Sequence, residues 1–201
     1  NSGTRVLIHE ANLIVRQISE AKVVVEVPVV AEIDDHGLYV KSPAGKVYEI
    51  EFDLEQIDGE WRITSTDDGI ILPRRIFTEV FSSYEVYFYN HDYTYLVPDT
   101  RWFVARSSIP TTLVTQLISG PSSWLKDSLI TAFPEGSALA INAVTVENGV
   151  ATIELNSEYL TTDATQRGLI HDQIDATLRN ISTITSSRIT VNGQEVSSSS
   201  G

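Results

Sequence analysis

The chain has 201 residues, a formal net charge of −13, and neither cysteine nor methionine. Lack of cysteine excludes disulfides and thiolate metal sites, and the acidic charge disfavours binding to nucleic-acid backbones and anionic lipid surfaces. Hydrophobic residues make up 42% of the chain, and no apolar run is long enough to span a membrane. The composition therefore indicates a folded globular protein.

The first part of the chain has strand patterns. Residues 23–30 are mostly β-branched, and residues 47–54 alternate apolar with polar, which is typical of a sheet with one solvated face. Asp58-Gly59 predicts a tight turn between two strands. We predict an N-terminal antiparallel β meander over residues 1–80. We expect this domain to be truncated and incomplete, because the helices that would cover its sheet precede Asn1. One apolar face of the sheet would then be exposed or covered by a dimer contact. We interpret residues 67–73 as a connector.

A second part, residues 81–196, has mixed helix and strand signals. Aromatic residues concentrate between Tyr84 and Phe103, where we predict a hairpin. A helix opens at Ile109-Pro110, with Ser107 or Ser108 as its cap, and ends at Gly120-Pro121. The run 138–146 is read as a strand that pairs through the Asn148-Gly149 turn with its return.

The longest predicted helix begins at Thr162-Asp163. Ile170, Ile174, Leu178 and Ile181 mark one face of it, and a last strand follows near residues 188–191. The fold class expected for the chain is therefore α+β, with two helices packed on a sheet in the second domain. We interpret residues 197–201 as a linker because they are serine-rich.

A series of short motifs in this second part resembles the GerMN domain, a module of bacterial spore-germination and envelope proteins. The motifs are Tyr87-Phe88-Tyr89, Leu96-Val97-Pro98, Arg101, residues 117–121, Leu129, residues 133–136, 150–155, 173–178 and 189–193. Each motif is weak alone, but their order and spacing are specific. Together with the preceding meander, the whole chain resembles the central portion of LpqB-type actinobacterial lipoproteins.

That resemblance implies a protein lipid-anchored outside the cytoplasmic membrane, in the cell envelope. It also implies signalling with the MtrA–MtrB two-component system, through contact with the extracellular domain of the sensor histidine kinase. The lipobox cysteine and the C-terminal β-propeller of the family are not in these 201 residues, so any membrane attachment depends on an N-terminal anchor outside them. The GerMN family has no established catalytic residues to transfer.

Residues that suggest catalysis or metal binding are sparse. His9, His36, His91 and His171 each lie near an acidic residue, but none has the ligand spacing of a metal site. No serine occupies a G-x-S-x-G elbow, and no glycine-rich phosphate loop occurs. We expect no catalytic residue, no metal and no cofactor, and thus no enzyme, although a small hydrolase or isomerase stays open as a third possibility.

The aromatic hairpin is the candidate partner surface, with Tyr87, Tyr89 and Tyr95 as its residues. One interpretation is core packing, with Val86 and Phe88 on one buried face and the tyrosines on another. The other is a contact surface, since tyrosine is enriched at interfaces. Two functions remain open: a non-catalytic extracytoplasmic protein-interaction module that modulates a sensor kinase and cell-wall processes, or a module that binds peptidoglycan or another cell-wall glycan.

Overall fold

A computed structural model of the chain describes residues 5–66, 69–106, 108–141 and 143–197. The chain divides into two compact units, the N-terminal unit Asn1–Ser82 and the C-terminal unit Ser83–Gly201. Helices and several sheets are both present, which confirms the α+β fold class. The expected linker beyond Ser197 lies outside the described residues, as do Asp67 and Asp68 of the expected connector and Ser107.

Seven strands and one short helix build the N-terminal unit. They are β1 (Val6–His9), β2 (Ile14–Ser19), β3 (Lys22–Ile33), β4 (Tyr39–Lys41), β5 (Val47–Ile57), β6 (Glu60–Thr66), β7 (Ile70–Pro73) and α1 (Arg74–Val80). The sheet order is β6-β5-β3-β1-β7, and β2 and β4 also pair with β3. The twelve-residue β3 is therefore the central strand of the sheet.

Strand β7 corrects one sequence interpretation. Residues 70–73 were expected to connect the two domains, but they form an outer strand that pairs parallel with β1, with Val6 opposite Ile70 and Ile8 opposite Leu72. The other pairings in this unit are antiparallel. A short apolar segment gives no local signal for parallel pairing, because its partner lies more than sixty residues away in the chain.

The two faces of this sheet differ in character. Val27, Tyr48 and Ile50 lie on one face and pack in an apolar cluster, whereas Arg16, Lys22 and their carboxylate partners form ion pairs on the other. The apolar face stays open toward β6, where Trp61 is 53% exposed and Ile63 is 59% exposed. A groove of about 370 Å³ lies on it, lined by Leu7, Tyr48, Ile50, Phe52 and Ile71 among others.

The C-terminal unit has two small sheets and two α-helices. Its elements are β8 (Phe81–Asn90), β9 (Leu96–Val104), α2 (Ile109–Ser119), β10 (Leu129–Ile130), β11 (Thr145–Glu147), β12 (Val150–Glu154), a 3₁₀ helix (Ser157–Thr161), α3 (Ala164–Leu178), β13 (Ser186–Val191) and β14 (Gln194–Glu195). One sheet has the order β10-β8-β9 and the other β11-β12-β13-β14. The segment 138–146 was expected to be a strand; among its described residues the structure has an isolated bridge from Leu139 to Leu155 and the start of the short β11.

Helix ends in this unit follow their local signals. Ser108 precedes α2 at the N-cap position with a proline in the first turn, and Gly120 ends the helix with φ of 90°, a conformation that favours glycine. Asp163 caps α3 by accepting a hydrogen bond from the Gln166 backbone N–H. Ile170, Ile174 and Leu178 are at most 1% exposed, which confirms the predicted face for these three residues. Ile181 follows the end of α3 and is only partly buried, so the predicted helix was too long by about one turn.

Two polar side chains near the end of α3 bind the backbone of β8. Thr177 Oγ1 accepts from the Tyr87 N–H at 3.1 Å, and the Asn180 side chain both accepts from the Glu85 N–H and donates to the Glu85 carbonyl. β10 pairs only with the far end of β8, at Tyr89 and Asn90. The helix therefore satisfies backbone groups that no strand reaches.

Replacing Thr177 by valine should destabilise the C-terminal unit by about 1–3 kcal/mol, because the isosteric methyl leaves the Tyr87 N–H buried without an acceptor. Chemical denaturation followed by circular dichroism measures this loss. Thr165→Val, at an exposed position of the same helix, is the matched control and should stay within about 0.5 kcal/mol of the parent. Equal stability of the two variants would show that the hydrogen bond contributes nothing.

Candidate functional site

The turn between β8 and β9 is organised by one asparagine side chain. Asn90 Oδ1 accepts from the backbone N–H groups of Thr94 and Tyr95 at 2.9 and 3.1 Å, and Asn90 Nδ2 donates to Thr94 Oγ1. Tyr93 takes a left-handed conformation with φ of 55°, which is uncommon for a tyrosine. The hydrogen bonds hold this conformation, so the turn presents the Tyr93 and Tyr95 side chains from a fixed backbone.

These two tyrosines border a cleft between the hairpin and α3, here called the tyrosine cleft. The cleft has a volume of about 370 Å³ and is lined by Tyr89, Tyr93, Thr94, Tyr95, Leu96, Leu169, Asp172 and Arg179. Tyr95 is 61% exposed and Tyr93 is 42% exposed. Large aromatic surfaces of this kind, with a polar tip, are suited to contact with another molecule.

Tyr89 forms the buried wall of the cleft. Its side chain is only 4% exposed, its hydroxyl donates to the Leu169 carbonyl at 3.0 Å, and its ring contacts the Tyr93 ring at 5.6 Å between centroids. Burial, with a smaller contribution from the Asp172 carboxylate, raises the pKa of Tyr89 to about 12. The hydroxyl therefore stays a hydrogen-bond donor at neutral pH.

The structure thus separates the three predicted surface tyrosines. Tyr95 is accessible and Tyr87 is half-buried, but Tyr89 belongs to the core, so the contact-surface interpretation does not hold for its ring. Val86 and Phe88 are fully buried, as the core-packing interpretation expected for that face. Alternation alone suggested that Tyr87 and Tyr89 are equivalent, whereas α3 covers Tyr89 more completely.

Sequence reasoning did not select Tyr93, Asp172 or Arg179. Asp172 lies on α3 and Arg179 directly follows its last residue, about eighty residues after the hairpin, and neither forms an ion pair with any residue that the structure describes. Both charges stay available at the rim of the cleft. Their spacing of seven residues places them two helical turns apart on one face. This spacing points to a site only once α3 is known to pack beside the hairpin.

None of the four histidines is among the residues that line the tyrosine cleft. His9, His91 and His171 each contact a backbone carbonyl, those of Ala11, Asp127 and Ser187, and His36 lies beside Asp35. Because a carbonyl only accepts, each contacting ring nitrogen carries a proton. Among the described residues, no group of three or more histidines or carboxylates is placed to hold a metal ion.

A buried ion pair lies beneath the segment that follows α2. Arg101 Nη2 donates to Asp99 Oδ2 at 2.9 Å, Arg101 Nη1 donates to Gln116 Oε1 at 2.9 Å, and the Ser122 N–H donates to the same Asp99 oxygen at 3.0 Å. Asp99 and Arg101 are each 1% exposed. These bonds tie β9, α2 and the residues after Gly120 together, which gives a structural explanation for the abrupt helix end at Gly120-Pro121.

Comparison with known families covers both units. Residues 85–197, more than half of the chain, match the family model Germane, described as "Sporulation and spore germination". The chain belongs to the Germane family. Residues 1–78 match the model described as "Lipoprotein LpqB, N-terminal domain". The predicted identity, an LpqB-type lipoprotein chain with a GerMN domain, is therefore confirmed.

Curated relatives agree with this family combination. The chain is 32% identical to "Lipoprotein LpqB" of Thermobifida fusca (strain YX) over 88% of its length, and 32% identical to that of Bifidobacterium longum (strain NCC 2705) over 98%. It spans 29% and 34% of those two proteins, about a third of each. Both relatives are named as lipoproteins, which supports a protein associated with the cell envelope.

Two solved structures are similar to part of the chain. One, the tandem GerMN domains of the sporulation protein GerM from Bacillus subtilis, gives a TM-score of 0.47 and 23% identity over 58% of this chain and 40% of that one. The other, a lipoprotein from Clostridium perfringens, gives 0.40 and 24% over 59% and 79%. No helix in the described part of the chain is long and apolar enough to span a membrane.

Proposed function

We propose that this chain is a non-catalytic extracytoplasmic interaction module that binds a protein partner at the tyrosine cleft. The observation that carries the proposal is the pair of exposed rings, Tyr93 and Tyr95, on a turn whose backbone is fixed by Asn90. A rigid aromatic surface loses little entropy when it binds, and tyrosine is enriched among the residues that dominate binding energy. Asp172 and Arg179, which form no ion pair with a described residue, lie at the rim and would orient the bound partner.

The proposed partner is the extracellular domain of a sensor histidine kinase of the MtrB type, through which the module modulates a two-component system and cell-wall processes. Family membership supports this choice, since the relatives are named as lipoproteins and act, in this proposal, from a lipid anchor at the membrane surface. The net charge of −13 favours a basic partner surface and speeds its approach.

Tyr95→Ala should weaken binding to the kinase extracellular domain by about 1–2 kcal/mol, or roughly fivefold to thirtyfold, because the truncation removes an exposed aromatic contact without touching the core. Biolayer interferometry with the kinase domain immobilised measures the affinity. Leu160→Ala, which truncates a side chain 48% exposed in the same unit and outside the cleft, is the control and should bind as the parent does.

One further variant and a change of salt concentration sharpen this test. Replacing all four histidines by glutamine should leave the affinity unchanged, because none of them lines the cleft and glutamine can still donate to a carbonyl. Raising the salt concentration should slow association while dissociation changes little. If Tyr95→Ala binds with the affinity of the parent, the interface does not lie at the cleft. If the histidine variant loses binding, the contact depends on a titrating group, contrary to this proposal.

A second candidate, binding of a cell-wall glycan, is favoured by one feature of the same cleft. Tyrosine rings can stack on a sugar ring while a carboxylate and a guanidinium bind its hydroxyl groups, and Tyr95, Asp172 and Arg179 line one cavity. Sedimentation with insoluble peptidoglycan separates the two candidates. The glycan would be favoured if the parent binds peptidoglycan, Tyr95→Ala does not, and neither binds the kinase domain.

A further inference from the structure

Trp124 is the most exposed large apolar side chain among those the structure describes, at 72%. It lies in the segment 122–128, here called the tryptophan turn, between α2 and β10. An exposed tryptophan is unfavourable in water and is frequent at binding hot spots. Sequence reasoning passed over this residue because one tryptophan in a polar loop has no periodic pattern to interpret.

The tryptophan turn is held by many hydrogen bonds, although it is neither helix nor strand. The Leu125 and Lys126 N–H groups donate to the Ser122 carbonyl, and the Leu129 N–H donates to the Leu125 carbonyl. Ser122 is in turn bound to Asp99, the buried partner of Arg101. The backbone that carries Trp124 is therefore preorganised, which lowers the entropic cost of burying its ring against a partner.

The turn lies beside the hairpin that carries the exposed tyrosines. Leu129, just after the turn, pairs with Asn90, just before the hairpin turn. His91 Nε2 donates to the Asp127 carbonyl at 3.0 Å and connects the two turns directly. The last residues of the tryptophan turn therefore lie beside the hairpin turn, and Trp124 precedes Asp127 by three residues.

Charges around these rings are mixed but mainly acidic. Asp92 lies in the hairpin turn and Asp127 in the tryptophan turn, and both are exposed, while Asp172 lines the cleft. None of the three forms an ion pair with a described residue, and neither do the two cations of this region, Lys126 and Arg179. Three free carboxylates against two free cations, within a chain of charge −13, favour a cationic partner. A cation also gains from lying over the face of a tryptophan or tyrosine ring.

We propose that Trp124 and the tyrosine cleft form one continuous surface that binds an arginine- or lysine-bearing segment of a protein partner. A cationic side chain lies over the Trp124 ring, and the free carboxylates of Asp92 and Asp127 provide its counter-charge. The inference rests on the proposed function, because it assumes that the tyrosine cleft is a contact surface. It adds the residue that anchors the contact and the chemistry of the segment that is recognised.

The test uses the whole chain and two synthetic peptides, one of arginine alternating with glycine and serine, the other with glutamate in place of every arginine. The arginine peptide should bind and shift the fluorescence of the parent, with an affinity that falls as salt rises. Trp124→Ala should weaken this binding roughly tenfold. Trp61→Ala, which removes a tryptophan 53% exposed in the N-terminal unit, is the matched control and should leave it unchanged.

In the peptide assay, any of three results would overturn the inference: equal binding of the glutamate peptide, parent-like binding by Trp124→Ala, or an equal loss in Trp61→Ala. Vesicles of phosphatidylcholine and phosphatidylglycerol test a membrane instead. Vesicle binding that depends on Trp124, without peptide binding, would also overturn it. The peptide assay contains no kinase, so it tests this inference separately from the proposed partner. If the kinase domain does not bind the parent protein, only the proposed partner is contradicted. If Tyr95→Ala loses kinase binding but Trp124→Ala does not, only this inference is contradicted.

Discussion

Replacing Arg101 by methionine is expected to destabilise the C-terminal unit by about 3–5 kcal/mol, the usual cost of removing one partner of a buried ion pair. The Asp99 carboxylate would remain buried without its cation, and Gln116 Oε1 would lose its donor. Denaturant titration followed by circular dichroism measures the change. Arg106→Met, at an exposed arginine of the same unit, is the matched control and should change stability by less than about 0.5 kcal/mol.

A second variant separates the charge from the shape of this site. Asp99→Leu combined with Arg101→Met removes both charges, and an apolar pair of similar volume is often as stable as a buried ion pair. The double variant should therefore recover part of the stability that Arg101→Met loses. If Arg101→Met differs from the parent by less than about 1 kcal/mol, the ion pair does not hold the tryptophan turn, and the preorganisation of Trp124 loses its support.

Ile174→Asp is expected to cost at least about 3 kcal/mol and to unfold the C-terminal unit at ordinary temperature, because it places a carboxylate in an apolar core. Ile174 is fully buried at the centre of the α3 face that packs in the core of this unit. Thermal unfolding followed by circular dichroism measures the effect. Thr165→Asp, exposed in the first turn of the same helix, should be neutral or slightly stabilising because a carboxylate is favourable near a helix N-terminus.

The aspartate variant of Ile174 will be hard to study if it does not fold. Ile174→Ala keeps the site apolar and should cost about 2–5 kcal/mol through lost burial and the cavity that remains. A thermal transition of Ile174→Ala within about one degree of the parent would show that this face of α3 is not the one that holds the unit together.

Local signals in the sequence determined many of the elements. Glycine and asparagine at tight turns, such as Asn148-Gly149, adopt positive φ at no or little cost, and Gly120-Pro121 ends α2 because the helix cannot continue through it. Asp163 caps α3 with its own side chain. Such features act over a few residues, so they can be recognised without knowing the fold. The order of the motifs over residues 84–193 also predicted the family, and the family model that matches residues 85–197 confirmed it.

Other features were decided only when distant segments met. Residues 70–73 become a strand because β1 offers them a parallel partner, and Tyr89 is buried while Tyr95 is exposed because α3 covers one and not the other. The candidate surface depends on the same kind of contact. Asp172 joins the hairpin across eighty residues, and the ion pair of β9 fixes the turn that carries Trp124. Hydrophobic and hydrogen-bonding patterns describe what each segment prefers, but burial and pairing depend on which segments pack together, and that is a property of the tertiary structure.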